Sequence, residues 1–257
     1  MTPRVRGFVA AVSLVALTAC GGTSSQMPES KMPDGFVRLS DVAPDIVQEI
    51  RYAGEHNFMG RPVTGYEAPQ CLLTREAADA LGRAQSAVKS RGYSLKVYDC
   101  FRPQRAVTDF VEWAKDPADD VTREEFYPRL DNDQLFPLGL IAEKSGHSRG
   151  STVDVTLVPL GSGASATWQV GDPIADCAAP VGMRFPDTSI DMGTGFDCFD
   201  PLAATDNTGI TQEQRANRQV LVAVMEAAGF VNLPEEWWHY TLRDEPFPDT
   251  YFDAALR

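Results

Sequence analysis

The spacing of apolar and polar positions changes several times along the chain, and each change marks an element. Residues 75–91 carry Ala78, Leu81, Ala84 or Gln85, and Val88 at helical spacing, with Thr74 suited to cap the helix and Gly92 to stop it. The period then drops to two: Tyr93, Leu95 and Val97 alternate with Ser94, Lys96 and Tyr98, which predicts a strand ending over residues 99–101. Pro103 suits a first helical position, and Ala106, Val107, Phe110, Val111 and Ala114 follow at helical spacing, so Arg102 falls on a strand-to-helix junction. The clearest strand covers residues 151–158. Val153, Val155 and Leu157 share one face of it while Thr152, Asp154 and Thr156 share the other, which turns Asp154 toward a polar cleft. Thr211 and Gln214 form a capping-box pattern opening a helix through Val220, Val224 and Ala227, closed by Gly229; residues 230–233 and 237–242 read as final strands.

Residues 159–207 are dense in Gly, Pro, Ser and Asp and predict a long loop region, a feature that compact domains usually reserve for function. Residues 21–34 lack apolar periodicity and read as a spacer, with the folded part starting near Phe36 and no repeat or second domain boundary after it. At the start, Arg4 and Arg6 precede an apolar run over residues 8–17 that is too short to span a bilayer, the pattern of an export leader. Leu17-Thr18-Ala19-Cys20 resembles a bacterial lipoprotein box, which implies cleavage before Cys20 and acylation of its sulfur. The expected organisation is a signal peptide over 1–19, a flexible linker over 20–35 from lipidated Cys20, and one domain over 36–257. Such a protein is exported and membrane-anchored at the cell envelope, facing the periplasm.

A chain of 257 residues with 43% hydrophobic content can bury one ordinary core. Its formal charge of −13, with no basic stripe, excludes nucleic acid as a partner and favours a small substrate. Setting Cys20 aside leaves Cys71, Cys100, Cys177 and Cys198, an even set in an oxidising compartment. Three connectivities are open to them, and Cys71 with Cys100 and Cys177 with Cys198 is the favoured one. None has the Cys-x-x-Cys spacing of a zinc site.

Only three histidines occur, and two of them sit in unusual polar contexts. His147 lies in Ser145-Gly146-His147-Ser148-Arg149-Gly150, where Gly150 permits a tight turn and the following strand aims Asp154 back at the imidazole; His239 closes Glu236-Trp237-Trp238-His239. A catalytic zinc takes three protein ligands and keeps a fourth position for water, and His147, Asp154 and His239 meet that count. Glu236 lies three residues before His239, so a regular strand would point the two to opposite faces. A turn or bulge at Glu236-Trp237 is therefore predicted, letting the carboxylate act as the base beside the metal. His56, between Glu55 and Asn57, reads as a loop residue.

Taken together, His-x-x-Gly-x-x-x-Asp followed by Glu-x-x-His resembles the zinc D-alanyl-D-alanine peptidases. The likeness is closest to the D-alanyl-D-alanine dipeptidases of the vancomycin-resistance type and covers nearly everything after Phe36. The resemblance implies an α+β fold, a small central, mainly antiparallel sheet with flanking helices, of the hedgehog and D-Ala-D-Ala peptidase kind. It implies one zinc ion per chain and hydrolysis of the dipeptide D-alanyl-D-alanine. Tyr98-Asp99-Cys100-Phe101-Arg102-Pro103 is similar to the family segment whose arginine stabilises the transition state, a role that passes to Arg102. Met192-Gly193-Thr194-Gly195-Phe196-Asp197 resembles the loop whose aspartate binds the substrate ammonium, which points to Asp197. Tyr52 matches a tyrosine assisting there, and Ser145 a serine near the substrate carboxylate. A zwitterionic dipeptide needs an anion, carboxylate donors and a cation near the oxyanion, and Asp197, Ser145 and Arg102 supply one of each.

Two rival readings share these motifs. A D,D-carboxypeptidase acting on longer peptidoglycan peptides would need an open amino side, which the Asp197 loop opposes. A non-catalytic, hedgehog-like zinc module would not need Glu236 and Arg102. A serine hydrolase built on Ser145 or Ser148 is set aside on the expectation that the chain has no Gly-x-Ser-x-Gly elbow.

Overall fold

The computed structural model describes residues 32–257 together with Met1, so the leader and Cys20 lie outside the described residues. In chain order the elements are β1 (Phe36–Arg38), α1 (Leu39–Val42), β2 (Val47–Gln48), β3 (Leu72–Thr74), α2 (Arg75–Lys89), β4 (Tyr93–Asp99), α3 (Gln104–Trp113), α4 (Arg123–Phe126), β5 (Thr152–Pro159), α5 (Gln212–Ala227), β6 (Phe230–Asn232) and β7 (His239–Leu242). Five strands form one sheet in the order β2-β4-β5-β7-β6, and β1 pairs with β3 in a separate two-stranded ribbon. Only the β2–β4 pair at one edge of the larger sheet is parallel, so the expected mainly antiparallel sheet with flanking helices is what the chain forms.

Local chemistry accounts for the main elements. Thr74 caps α2 by accepting from the Ala77 N–H at 3.3 Å, and the helix buries Ala77, Ala78, Leu81, Ala84, Gln85 and Val88 against β4 and α5. Leu95, Val97, Val153, Val155 and Leu157 supply the facing sheet surface and are fully buried, each such side chain contributing about 1.5–3 kcal/mol. The capping box of α5 is present in both directions, Thr211 Oγ1 accepting from Gln214 N–H and Gln214 Oε1 from Thr211 N–H. Gly229 then leaves α5 in the left-handed region, at φ +104°.

Strands β5 and β6 differ from the sequence reading by one residue at their ends, and three other boundaries differ for identifiable reasons. Pro103 keeps an extended ψ of 147° and stands at the N-cap, so α3 starts one residue later. Helix α2 ends at Lys89, with Ser90 as its C-cap, before Gly92 turns the chain at φ +82°. The last strand starts at His239 because Trp237 and Trp238 are buried in the preceding turn, where Trp237 Nε1–H donates to Thr194 Oγ1 at 2.8 Å.

Both favoured disulfides form, Cys71–Cys100 and Cys177–Cys198. No helix or strand longer than one 3-10 turn lies between β5 and α5, in agreement with the expected long loop. That loop covers the polar face of the sheet. Lys96, fully buried on β4, donates to Glu49, to Ser165 and to the Asp187 carbonyl, and Tyr98 OH donates to Asp187 Oδ2 at 2.5 Å. His56 does lie outside regular structure, yet it is buried, linking Arg51 Nη1 at 2.7 Å to Glu125 at 2.9 Å.

Candidate metal centre and substrate cleft

Register places the first parts of the site. Asp99, Asp154 and His239 stand side by side on β4, β5 and β7. Regular alternation would set Tyr98 opposite Asp154, but the register shifts between Val97 and Asp99 and brings Asp99 there instead. His147 arrives from a 3-10 turn, Gly146–Arg149, entered at Ser145, whose Oγ accepts from the His147 N–H at 3.2 Å. Gly150 ends that turn at φ +83°, and a Cβ there would lie 2.3 Å from the Phe36 ring, so only glycine fits.

The predicted break before His239 is present. His239 N–H donates to the Glu236 carbonyl at 3.2 Å, closing a turn, and the Asn232 side-chain amide donates to the carbonyls of Glu236 and His239, both at 3.0 Å. The result puts Glu236 Oε2 3.5 Å from His239 Nδ1. Burial pushes the Glu236 carboxyl up to about 7, although the His239 charge pulls the other way; the side chain keeps 24% exposure to the cleft.

His147, Asp154 and His239 present one donor atom each to a common point. The three edges of this triangle are 3.3 Å from His147 Nε2 to His239 Nδ1, 3.3 Å from His147 Nε2 to Asp154 Oδ1, and 3.2 Å from His239 Nδ1 to Asp154 Oδ1. Tetrahedral bonds of about 2.05 Å place neighbouring ligands about 3.3 Å apart, so the spacing fits a four-coordinate zinc. Two further features agree. Asp154 Oδ1 is buried with no hydrogen-bond partner among the described residues, an acceptor set for a cation. His147 Nδ1–H donates to the Cys100 carbonyl at 2.7 Å, which leaves the Nε2 lone pair free to bind. Burial alone would raise the Asp154 carboxyl, but the two imidazoles outweigh it and hold it far below the carboxylate range.

Beside the triangle, a cavity of about 230 Å³ is lined by Tyr52, Arg102, Ser145, Asp197, Glu236 and His239 and by apolar Phe58, Phe110, Leu140, Ile141 and Phe199. That volume lies below the roughly 300–1,000 Å³ of drug-sized sites and suits a small ligand. Arg102 Nε–H donates to Asp99 Oδ2 at 2.9 Å, its Nη2 is 3.7 Å from Asp154 Oδ2, and its guanidinium lies about 5 Å over the rings of Tyr52 and Phe110. Asp197 adopts a left-handed φ of 56° and accepts from Tyr52 OH at 2.7 Å. Burial first, and then the Asp154 charge, push its carboxyl well above the ordinary value. A larger groove of about 690 Å³ along β1 and α1 holds Arg38, Asp41 and Arg75 but none of the donor triangle.

All eight residues singled out by sequence, from Tyr52 to His239, thus converge on one cleft. Asp99 and Asn232 were missed, being common residue types whose work appears only through partners distant in sequence; Lys144, at the cleft rim next to Ser145, was missed as well. One expectation is corrected. Gly146-His147-Ser148-Arg149-Gly150 does spell Gly-x-Ser-x-Gly, but it folds as a 3-10 turn leading into a strand rather than a strand-to-helix elbow, and Ser148 Oγ is buried without a hydrogen-bond partner.

Comparison with known proteins agrees with this geometry. Residues 32–168 and 186–257 match the peptidase M15 family model described as D-ala-D-ala dipeptidase, leaving 169–185 outside the matched stretches. The chain is 37% identical over 225 residues to a D-alanyl-D-alanine dipeptidase of Streptomyces coelicolor, which covers 88% of this chain and all of the relative. It is 36% identical over 226 residues to one of Enterococcus faecium, with the same coverage, and 27% identical over 207 residues to one of Escherichia coli, covering 80% of this chain and 84% of that protein.

Proposed function

Because the chain belongs to the D-Ala-D-Ala dipeptidase family of M15 peptidases, we propose that it hydrolyses the dipeptide D-alanyl-D-alanine to two D-alanines, using one zinc ion held by His147, Asp154 and His239. The observation that carries this reading is the near-equilateral donor triangle with the Glu236 carboxylate beside it and Asp197 across the same small cleft. A zinc ion in that triangle supplies Lewis acidity and lowers the pKa of water to about 7.

The chain's own residues do the rest. Glu236, with its carboxyl raised by burial, takes a proton from the attacking water and delivers it to the departing amine nitrogen as the C–N bond breaks. Arg102, oriented by Asp99, turns its guanidinium toward the oxyanion that develops on the carbonyl. Asp197, bonded by Tyr52, receives the substrate ammonium, and Ser145 lies on the side of the carboxylate. An ammonium partner inside so short a cleft favours free dipeptides over longer wall peptides. The fold proposed for this chain is the hedgehog and D-Ala-D-Ala peptidase type, with the domain over 36–257 tethered to the envelope membrane, facing the periplasm, through a linker over 20–35 and a lipid on Cys20.

Hydrolysis of D-alanyl-D-alanine measured against an N-acylated tripeptide ending in D-Ala-D-Ala, on protein of known zinc content, tests the reading. Faster cleavage of the acylated peptide would make the chain a carboxypeptidase, and zinc-loaded protein inert toward both would make it a binding module. Acyl labelling that persists in Cys20→Ala would overturn the anchor.

A further inference from the structure

The two disulfides lie behind different halves of the cleft. Cys100 stands between Asp99 and Arg102, and its own carbonyl fixes the His147 tautomer at 2.7 Å. Its partner Cys71 opens the segment that runs into β3, and this segment braces the metal half from behind. Phe101 N–H donates to the Leu72 carbonyl at 2.9 Å, Thr74 N–H to the Gly150 carbonyl at 2.8 Å, and Thr74 Oγ1 bonds Ser151 Oγ at 2.7 Å. The strand end carrying Asp99 and Arg102 and the turn carrying His147 are thus both referenced to β3, and the Cys71–Cys100 bond is the covalent part of that brace.

The second bond sits behind Asp197. Cys198 is its neighbour, Gly195 N–H donates to the Cys177 carbonyl at 2.8 Å, Cys177 N–H to the Glu125 carbonyl at 3.0 Å, and Phe199 N–H to the Phe126 carbonyl at 2.8 Å. A non-glycine residue at φ 56° holds only where its surroundings over-determine it, and the residues on both sides of Asp197 are clamped in this way to the end of α4. Cys177 also lies within 169–185, outside the stretches that the family model matches, so this bond ties that segment to the loop carrying Asp197.

We propose that the disulfides are two independent positioning devices, Cys71–Cys100 for the metal and oxyanion half of the centre and Cys177–Cys198 for the ammonium half. The inference rests on the dipeptidase reading above. It predicts crossed defects. A Cys71→Ala/Cys100→Ala variant binds zinc about 10- to 100-fold more weakly, the range seen when a ligand's supporting contact is lost, and when saturated with zinc it has a lowered kcat and a KM within twofold of wild type. A Cys177→Ala/Cys198→Ala variant keeps zinc affinity within twofold and raises the KM for D-alanyl-D-alanine about tenfold.

Zinc affinity is read by competition with a chromophoric chelator and the kinetic constants by D-alanine release, each beside a thermal melt. Purely structural bonds would lower the melting temperature in both variants while leaving zinc affinity, kcat and KM of the folded protein as in wild type; that result, or the same defect in both variants, overturns the proposal. If either alanine pair does not fold, Cys71→Val/Cys100→Ala and Cys177→Val/Cys198→Ala fill the lost volume without the bond. Failure of these also would make the bonds requirements for folding and overturn the proposal too. Wild-type protein that takes up no zinc sinks the dipeptidase reading itself, whereas normal wild type with unaltered variants sinks only this inference.

Discussion

Removing one hydroxyl, in Tyr52→Phe, isolates the ammonium anchor from the rest of the cleft. Among the described residues Tyr52 OH makes the one side-chain hydrogen bond to the Asp197 carboxylate, at 2.7 Å, while its ring packs between Tyr66, Phe58 and Phe110 and carries the Arg102 guanidinium 5.0 Å away. Phenylalanine keeps every ring contact, so melting temperature, zinc content and the placement of Arg102 should stay near wild type. Asp197 alone is affected. Burial and the Asp154 charge already raise its carboxyl, and the Tyr52 bond is the largest influence holding it down. A hydrogen bond to a charged group is worth about 1.5–3 kcal/mol, and its loss raises the Asp197 pKa further. A carboxylate anchors an ammonium only when ionised, so KM rises as pH falls through this pKa. The variant's KM profile should therefore be displaced toward higher pH, and the loss of about 1.5–3 kcal/mol of anchoring is a roughly ten- to hundredfold higher KM on the rising limb. Steady-state hydrolysis of D-alanyl-D-alanine between pH 5 and about 9 measures it. Superimposable KM profiles would refute the anchoring role, and a loss confined to kcat would move Tyr52 into the chemistry.

Three further outcomes are expected. Glu236→Gln keeps the shape of the side chain and all donors of the triangle, so zinc stoichiometry should persist while kcat falls about 10²- to 10⁴-fold; unchanged turnover would remove Glu236 from proton transfer. Arg218, buried on α5 without a carboxylate partner among the described residues, donates to the carbonyls of Met192, Ala204 and Leu202 at 2.7, 2.6 and 2.8 Å, flanking the Asp197 loop. Arg218→Met strands three acceptors and should cost about 3 kcal/mol or more in urea unfolding, a figure that a shift under about 1 kcal/mol would contradict. Burial alone would raise the Glu49 carboxyl, but Arg51 and Lys96 more than offset it and hold it at about 2 against an ordinary 4.5. A depressed carboxylate adds stability above its unfolded pKa and loses it as pH falls through the folded one, so the loss spans pH 4.5 down to 2, at most about 3 kcal/mol. Glu49→Gln should flatten the acid limb of stability over that window, and parallel wild-type and variant curves would show that the charge is not responsible.

Elements with a strong local code were legible in the sequence. The helix behind Thr74, the alternating strand around Asp154 and the capping box at Thr211 each declare themselves within a dozen residues, and the structure keeps them. The candidate metal donors were legible for another reason: with only three histidines, two in Gly-rich or carboxylate-bearing contexts, few chemical roles remain. What local code does not carry is long-range partnership. Simple alternation assigns Asp99 to the apolar face with Val97, and only pairing with β5 creates the shift that sets it opposite Asp154. His56 reads as an ordinary loop residue until Arg51 and Glu125 close around it. The start of β7 was misjudged because Trp237 and Trp238 have strand propensity but are better buried in a turn.

The centre is therefore a property of sheet register more than of any one motif. Asp154 and His239 meet because β5 and β7 pair in one alignment, and a slip of one residue would send their side chains to opposite faces of the sheet. The features that shape the centre around this alignment are backbone features: the irregularity at Val97 and Asp99 between β4 and β5, the Asn232 amide that bonds the carbonyls of Glu236 and His239, and the passage of Gly150 under the Phe36 ring. Each acts on the backbone, so each determines where ligands stand without touching a ligand side chain. Rigid alignment of this kind suits a zinc site, where donor atoms must approach within tenths of an ångström of tetrahedral spacing. The substrate loop follows a different logic. Asp197 comes from a segment with no regular structure, held by Arg218, Tyr52 and a disulfide, so its position is set by contacts other than those that set the triangle. On the proposed reading, the metal half and the ammonium half of the cleft are set by separate parts of one fold, the first by sheet register and the second by contacts to the loop.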